Sequence, residues 1–149
     1  MNHPQSLAEE LYKHFPNPDL EMIKKNACCA FVLQWVLGIE QDDIDAIITV
    51  QNMRNRKVIN PDCVVKWYEA VPYLCGRTLK DVKYTNITSI KEIKKRTLVL
   101  YAKEGNPKGV GHWVGVENGK IKFNPLKYSV NVAEGKPVEM RELIFDIKE

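Results

Sequence analysis

Ten consecutive residues, Cys28-Cys29-Ala30-Phe31-Val32-Leu33-Gln34-Trp35-Val36-Leu37, leave almost no polar side for solvent. Asn26 stands where a helix cap would, and Gly38 where a stop would, so the run reads as a helix ending at about Leu37. A helix that is apolar on nearly every side cannot lie on a surface and must be the buried centre of the fold. A bilayer span takes ~20 apolar residues, and neither this run nor any other stretch approaches that length. Whatever else the chain does, it has to be arranged around this helix.

The flanking pattern suggests how. Ser6 to Phe15 reads as a short amphipathic helix with Leu7, Leu11 and His14 on one face, ended by Pro16-Asn17-Pro18. Asp42 to Asn55 reads as helical, offering Ile44, Ile47, Ile48 and Met53 for packing. Asn60-Pro61-Asp62 would start another helix that carries Val64, Val65, Trp67 and Tyr68 and ends near Pro72. After a connector, Ser89 would cap a short helix to Lys95. From Thr97 the period changes. Strands are expected at Thr97 to Ala102, Val110 to Val116 and Lys120 to Asn124, with a strand or short helix around Val138 to Phe145. Helices first and an antiparallel sheet afterwards is an α+β arrangement in a single domain, residues 1–149. No repeat, linker or low-complexity segment interrupts it.

Composition narrows the function classes. At 28% charged and 44% hydrophobic, the chain reads as an ordinary globular protein. A net charge of +3 is too small to argue for nucleic acid, and the clusters Arg54 to Lys57 and Lys91 to Arg96 read as solvated faces. The N-terminus lacks the basic start and apolar core of a secretory signal. Four cysteines, two of them adjacent, do not make a disulfide framework or a zinc site. A cytoplasmic location is expected.

Three residues carry chemistry. With Asn26 as cap, Cys28 lies in the first turn of the central helix, where unpaired backbone N–H groups and the helix dipole favour a thiolate. Cys29 points about 100° further round and would pack inward; Cys63 and Cys75 would pack as well. His112 heads a strand behind the glycine-bearing loop Glu104 to Gly111. Asn124-Pro125 closes the next strand, and there Asn124 is either a turn residue or a partner for His112. Glu117-Asn118-Gly119-Lys120 is a tight-turn signal joining the two strands. A two-residue turn pairs Val116 with Ile121 but sends Asn124 to the face opposite His112. A three-residue turn with a bulge at Gly119 puts the two on one face. The register stays open. His3 and His14 read as surface residues.

These segments resemble the papain-like cysteine peptidase superfamily. Cys28-Cys29-Ala30-Phe31 is similar to the Cys-Trp-Ala-Phe of papain, and Cys28-x-Ala30-Phe31-Val32 to the nucleophile helix of NlpC-type cell-wall peptidases. His112-Trp113-Val114, Lys120 to Phe123 and Asn124-Pro125 look most like the peptidase domains that cleave double-glycine leaders from bacteriocins. The resemblance spans roughly residues 20 to 145. It implies a papain-like fold, with Cys28 as nucleophile, His112 as base and Asn124 as the residue orienting the imidazole. The family's oxyanion Gln lies about six residues before the nucleophile, where Met22 stands here, and Cys29 replaces the Gly that follows it in the leader peptidases. Loss of one oxyanion donor costs ~10²–10³ in rate. Asn26 is the candidate substitute.

The resulting expectation is a cysteine peptidase or amidase that acts on a peptide or protein substrate, without cofactor or metal. The alternative within the same fold is a peptide- or protein-binding module with a decayed oxyanion site. A third reading, a helical nucleic-acid regulator, has only residues 42 to 57 behind it. Substrate identity and oligomeric state are not legible.

Overall fold

The computed structural model describes residues 1–146. In chain order these form α1 (Pro4–His14), α2 (Pro18–Asn26), α3 (Cys28–Val36), α4 (Asp43–Asn55) and α5 (Trp67–Cys75). The strands β1 (Leu79–Asn86), β2 (Thr97–Ala102), β3 (His112–Glu117) and β4 (Lys120–Phe123) follow, then α6 (Val130–Ala133) and β5 (Lys136–Phe145). The five strands make one antiparallel sheet in the order β1-β5-β2-β3-β4. Helices are mainly N-terminal, and the fold is α+β. No helix among the described residues is long and apolar enough to cross a membrane.

α3 is the buried centre the sequence demands. Ala30, Phe31, Val32 and Leu33 have no exposed surface, while Trp35 and Val36 are half-buried. Gln34, the one polar residue in the run, is also buried; its amide donates to the Ala46 carbonyl at 3.4 Å and accepts from Gln41, so it leaves no orphaned group. α3 lies across β3 so closely that a Cβ at Gly115 would sit 2.4 Å from the Trp35 ring. Only glycine permits that approach. Trp35 in turn stacks on Phe123, with centroids 6.1 Å apart.

The sheet carries apolar residues on both faces. Leu98 and Phe123 join the helices on one side; Val99, Tyr101, Val114 and Val116 form a second cluster on the other. That is why β2 reads as an unbroken apolar run and not an alternation.

Several sequence expectations need correction. α2 replaces the expected polar approach, capped by the Asn17 side chain, which accepts from Leu20 N–H. Asn26 ends α2 and does not cap α3, whose N-cap is Ala27 with no side-chain bond. Residues 60 to 66 are not helical: the Asn60 side chain accepts from Val64 N–H, Cys63 takes a φ of 64°, and Ile59 bridges Val65. α5 instead runs through Pro72 to Cys75, with Gly76 as its cap. Ser89 to Lys95 forms turns and no helix, because the carbonyls of Ile93 and Lys94 accept from Gly119 and Asn118 of the β3–β4 turn. Its isoleucines spread over the second apolar cluster. In α4 the buried stripe is Ala46, Ile47, Val50 and Met53; Ile44 and Ile48 are exposed. β1 was hidden in the expected connector. It is an edge strand, and its Lys80, Asp81 and Lys83 mask the alternation. The C-terminal element, expected as a strand or short helix, is strand β5.

Candidate active site

Cys28 is the first residue of α3. α2 and α3 are separated only by Ala27, which is fully buried, so the chain turns directly into the first turn of the central helix. Cys28 is half-buried and lines a cleft. Packing pushes its thiol pKa up, against the pull of the backbone N–H groups of Trp113, Cys29 and Cys28 itself. The expected thiolate is therefore not favoured: desolvation outweighs the N–H groups of Trp113 and of the helix start. Burial raises the Cys29 thiol as well, with the neighbouring Cys28 adding to the rise. Cys63 is buried and pushed up to about 11, while Cys75 is half-buried.

The β3–β4 hairpin resolves the register by combining both sequence alternatives. Asn118 and Gly119 take φ of 52° and 73°, the pattern of a two-residue type I′ turn, and Glu117 pairs with Lys120. Val116 faces Ile121 as the apolar pattern prefers. Then one residue is skipped: Gly115 pairs with Phe123, leaving Lys122 as a bulge. A slip of one residue exchanges the faces. The bulge at Lys122, and not one at Gly119, therefore brings Asn124 to the face of His112.

The two side chains meet. His112 Nε2 lies 2.7 Å from Asn124 Oδ1, which also accepts from the Leu126 backbone N–H at 3.0 Å. Because Leu126 can only donate, the amide oxygen is fixed toward this corner and the imidazole carries its proton on Nε2. Nδ1 then holds the lone pair, the form a general base requires. His112 is buried, and desolvation pulls its pKa below the ordinary 6.5 while the Asn124 bond pulls the other way.

A further residue supports this corner. His3, expected on the surface, is half-buried and donates from Nδ1 to the Asn124 carbonyl at 2.9 Å. The Pro125 carbonyl accepts from Gln5 and Ser6 N–H groups, and Ser6 Oγ accepts from Lys127 N–H. The start of α1 thus clamps both sides of the Asn124-Pro125 step. Nothing local in the sequence announces a contact across 121 residues.

Cys28 and His112 come to the same end of the sheet, since the thiol sits at the N–H of Trp113, the residue after His112. Among the described residues, no hydrogen bond joins the thiol to the imidazole. Strand alternation directs Trp113 and Gly115 toward α3 and His112 toward the face of Tyr101, its partner on β2.

The cleft at Cys28 encloses about 620 Å³ and reaches Asn26, Cys63, Trp67, Trp113 and Arg141, but neither His112 nor Asn124 lines it. Asn26 is exposed and borders it, whereas Met22 packs with the core residues and offers no side-chain donor. Arg141 was not singled out in the sequence; its signal is a charge at a helix-facing position between Met140 and Leu143 of β5. A second hollow of about 510 Å³, between the 103–110 loop and Glu134 to Val138, contains none of Cys28, His112 and Asn124. Compared with known proteins, the chain matches no family model, no curated protein and no solved structure.

Proposed function

We infer that the protein is a papain-like thiol hydrolase that cleaves a peptide or isopeptide bond through Cys28, His112 and Asn124. The observation that carries this reading is the 2.7 Å bond from His112 to Asn124, which leaves Nδ1 as a base at the end of the sheet where α3 presents Cys28. In the proposed cycle the thiol gives its proton to Nδ1 as sulfur attacks the substrate carbonyl. Collapse of the tetrahedral intermediate breaks the C–N bond. The imidazolium protonates the departing amine, and a thioester remains on Cys28. Water then attacks, His112 takes its proton, and the acid and free thiol are released. Asn124 keeps the ring in the tautomer this sequence of transfers needs. Asn26, or the N–H groups at the start of α3, would receive the oxyanion. Here His112 faces Tyr101 and does not line the cleft at Cys28, so the cycle requires the head of β3 to rearrange and bring Nδ1 to the thiol when substrate binds.

A second reading, a binding module on the same fold, is favoured by Met22 and by the raised thiol pKa. An activated ester separates the two. p-Nitrophenyl acetate should give a burst of nitrophenol, an acetyl group on Cys28 by peptide mapping, and continued turnover that Cys28→Ala and His112→Ala abolish. Acetyl stalled on Cys28 without turnover is the result expected of the binding module. Acetyl spread over lysines, with Cys28 unmodified, removes the site.

A further inference from the structure

We propose that the cleft beside Cys28 is a carboxylate-binding site with Arg141 as its anchor. This rests on the thiol-hydrolase reading only for the identity of the nucleophile, and it narrows the substrate class to acyl compounds that carry an acidic group. Arg141 stands on β5 directly opposite Tyr84 of β1. Its guanidinium carbon lies 4.2 Å from the Tyr84 ring centroid, 4.7 Å from that of Trp113 and 5.4 Å from that of Trp67. Three aromatic faces hold the cation in place and supply no counter-charge. Its one ion pair among the described residues uses Nε, 3.0 Å from Glu139 Oε1. The terminal N–H donors have no protein acceptor among those residues.

The side chain is only 21% exposed, yet its terminal nitrogens are not sealed from the cleft. A fixed, partly dry guanidinium with its outer edge open is matched by a planar carboxylate, which takes two parallel hydrogen bonds. Glu139 lowers the local charge and favours a monoanion over a more highly charged group. Asp62 and Lys25 also border the cleft, and Lys25 is paired with Glu21. Arg141 is close enough for its charge to act on Cys29, the neighbour of the nucleophile. An acidic group on Arg141 would therefore lie near the reacting carbonyl.

Two reagents of one shape test this directly: iodoacetate carries a carboxylate where iodoacetamide carries a neutral amide. The rate ratio of iodoacetate to iodoacetamide at Cys28 should exceed that of the same thiol in the urea-unfolded chain by about tenfold, the size of one charge-assisted interaction. Arg141→Gln should return the ratio to the unfolded value, and Arg141→Lys should keep part of the preference. His112→Ala should slow both reagents alike, so failure of the base and failure of the anchor are distinguishable. A wild-type ratio no higher than in urea overturns the proposal. Should Cys28 resist both reagents, the indoles of Trp67 and Trp113 report binding instead. N-acetylglutamate α-amide and N-acetylglutamine, which present a side-chain and an α-carboxylate respectively, should quench their fluorescence in wild type and not in Arg141→Gln. Quenching equal to that by neutral N-acetylglutamine amide refutes the site.

Discussion

At the residue scale, the tautomer of His112 is decided by which of its nitrogens is bonded. Leu126 N–H fixes the Asn124 oxygen, and the Asn124 oxygen fixes the proton on Nε2. The folded imidazole titrates below 6.5 because it is buried. As pH falls below 6.5, the unfolded chain takes up a proton that the folded one refuses, so stability is lost as pH drops through the depressed pKa. Asn124→Asp should raise the His112 pKa, since a carboxylate favours imidazolium, and Asn124→Ala should let the ring rotate. Imidazole NMR titration of the three proteins checks this, with the order Asp variant above wild type expected. Superimposable curves would make Asn124 a turn residue only. The pairing of His112 with Asn124 was legible in the sequence as one of two alternatives; the contacts of His3 and Arg141 were not. Both act through partners distant along the chain, and no short motif encodes such a contact.

Among the elements, α3 and the β3–β4 hairpin determine the rest. The unbroken apolar run announces α3, but its cap is not the residue the sequence suggests: Asn26 is a strong capping type, yet α2 already uses its backbone as the final helical residue. The hairpin turn was legible from Asn118-Gly119, whereas the bulge at Lys122 was not, because a bulge depends on how strand ends are drawn together. Arg96, read as part of a solvated basic face, donates to the Trp35 carbonyl at 2.7 Å and lies over the Trp35 ring, closing the C-terminal end of α3. Packing of α3 on β3 gives a sharp expectation. Gly115→Ala should destabilise the fold by ~1–3 kcal/mol through overpacking against Trp35. Phe31→Ala should cost ~3–5 kcal/mol by leaving a cavity. Urea unfolding measures both, and losses below about 0.5 kcal/mol would contradict the tight helix–strand contact and the central position of α3.

Across the whole molecule, the fold brings three segments far apart in sequence to one end of a sheet. α3 presents the thiol on one face, the hairpin holds the imidazole and its amide partner on the other, and the start of α1 holds that hairpin in place. The α+β class was legible because the change from helical to strand periodicity at Thr97 is a property of local sequence. The edge strand β1 and the turn-rich 87–95 cover were not, since charge on an exposed edge and threefold-spaced isoleucines imitate other structures. In the proposed cycle His112 serves as base to Cys28, and the pH dependence of Cys28 alkylation by iodoacetamide reports on that role. With a thiol pKa raised above 9.0 and an imidazole pKa below 6.5, wild type should show a plateau between the two values. The rate should fall only as acid protonates Nδ1. His112→Ala should lose that plateau and follow thiol ionisation alone, falling tenfold per pH unit, and should be slower at pH 7 by ~10² or more. Identical profiles for wild type and His112→Ala would contradict the account.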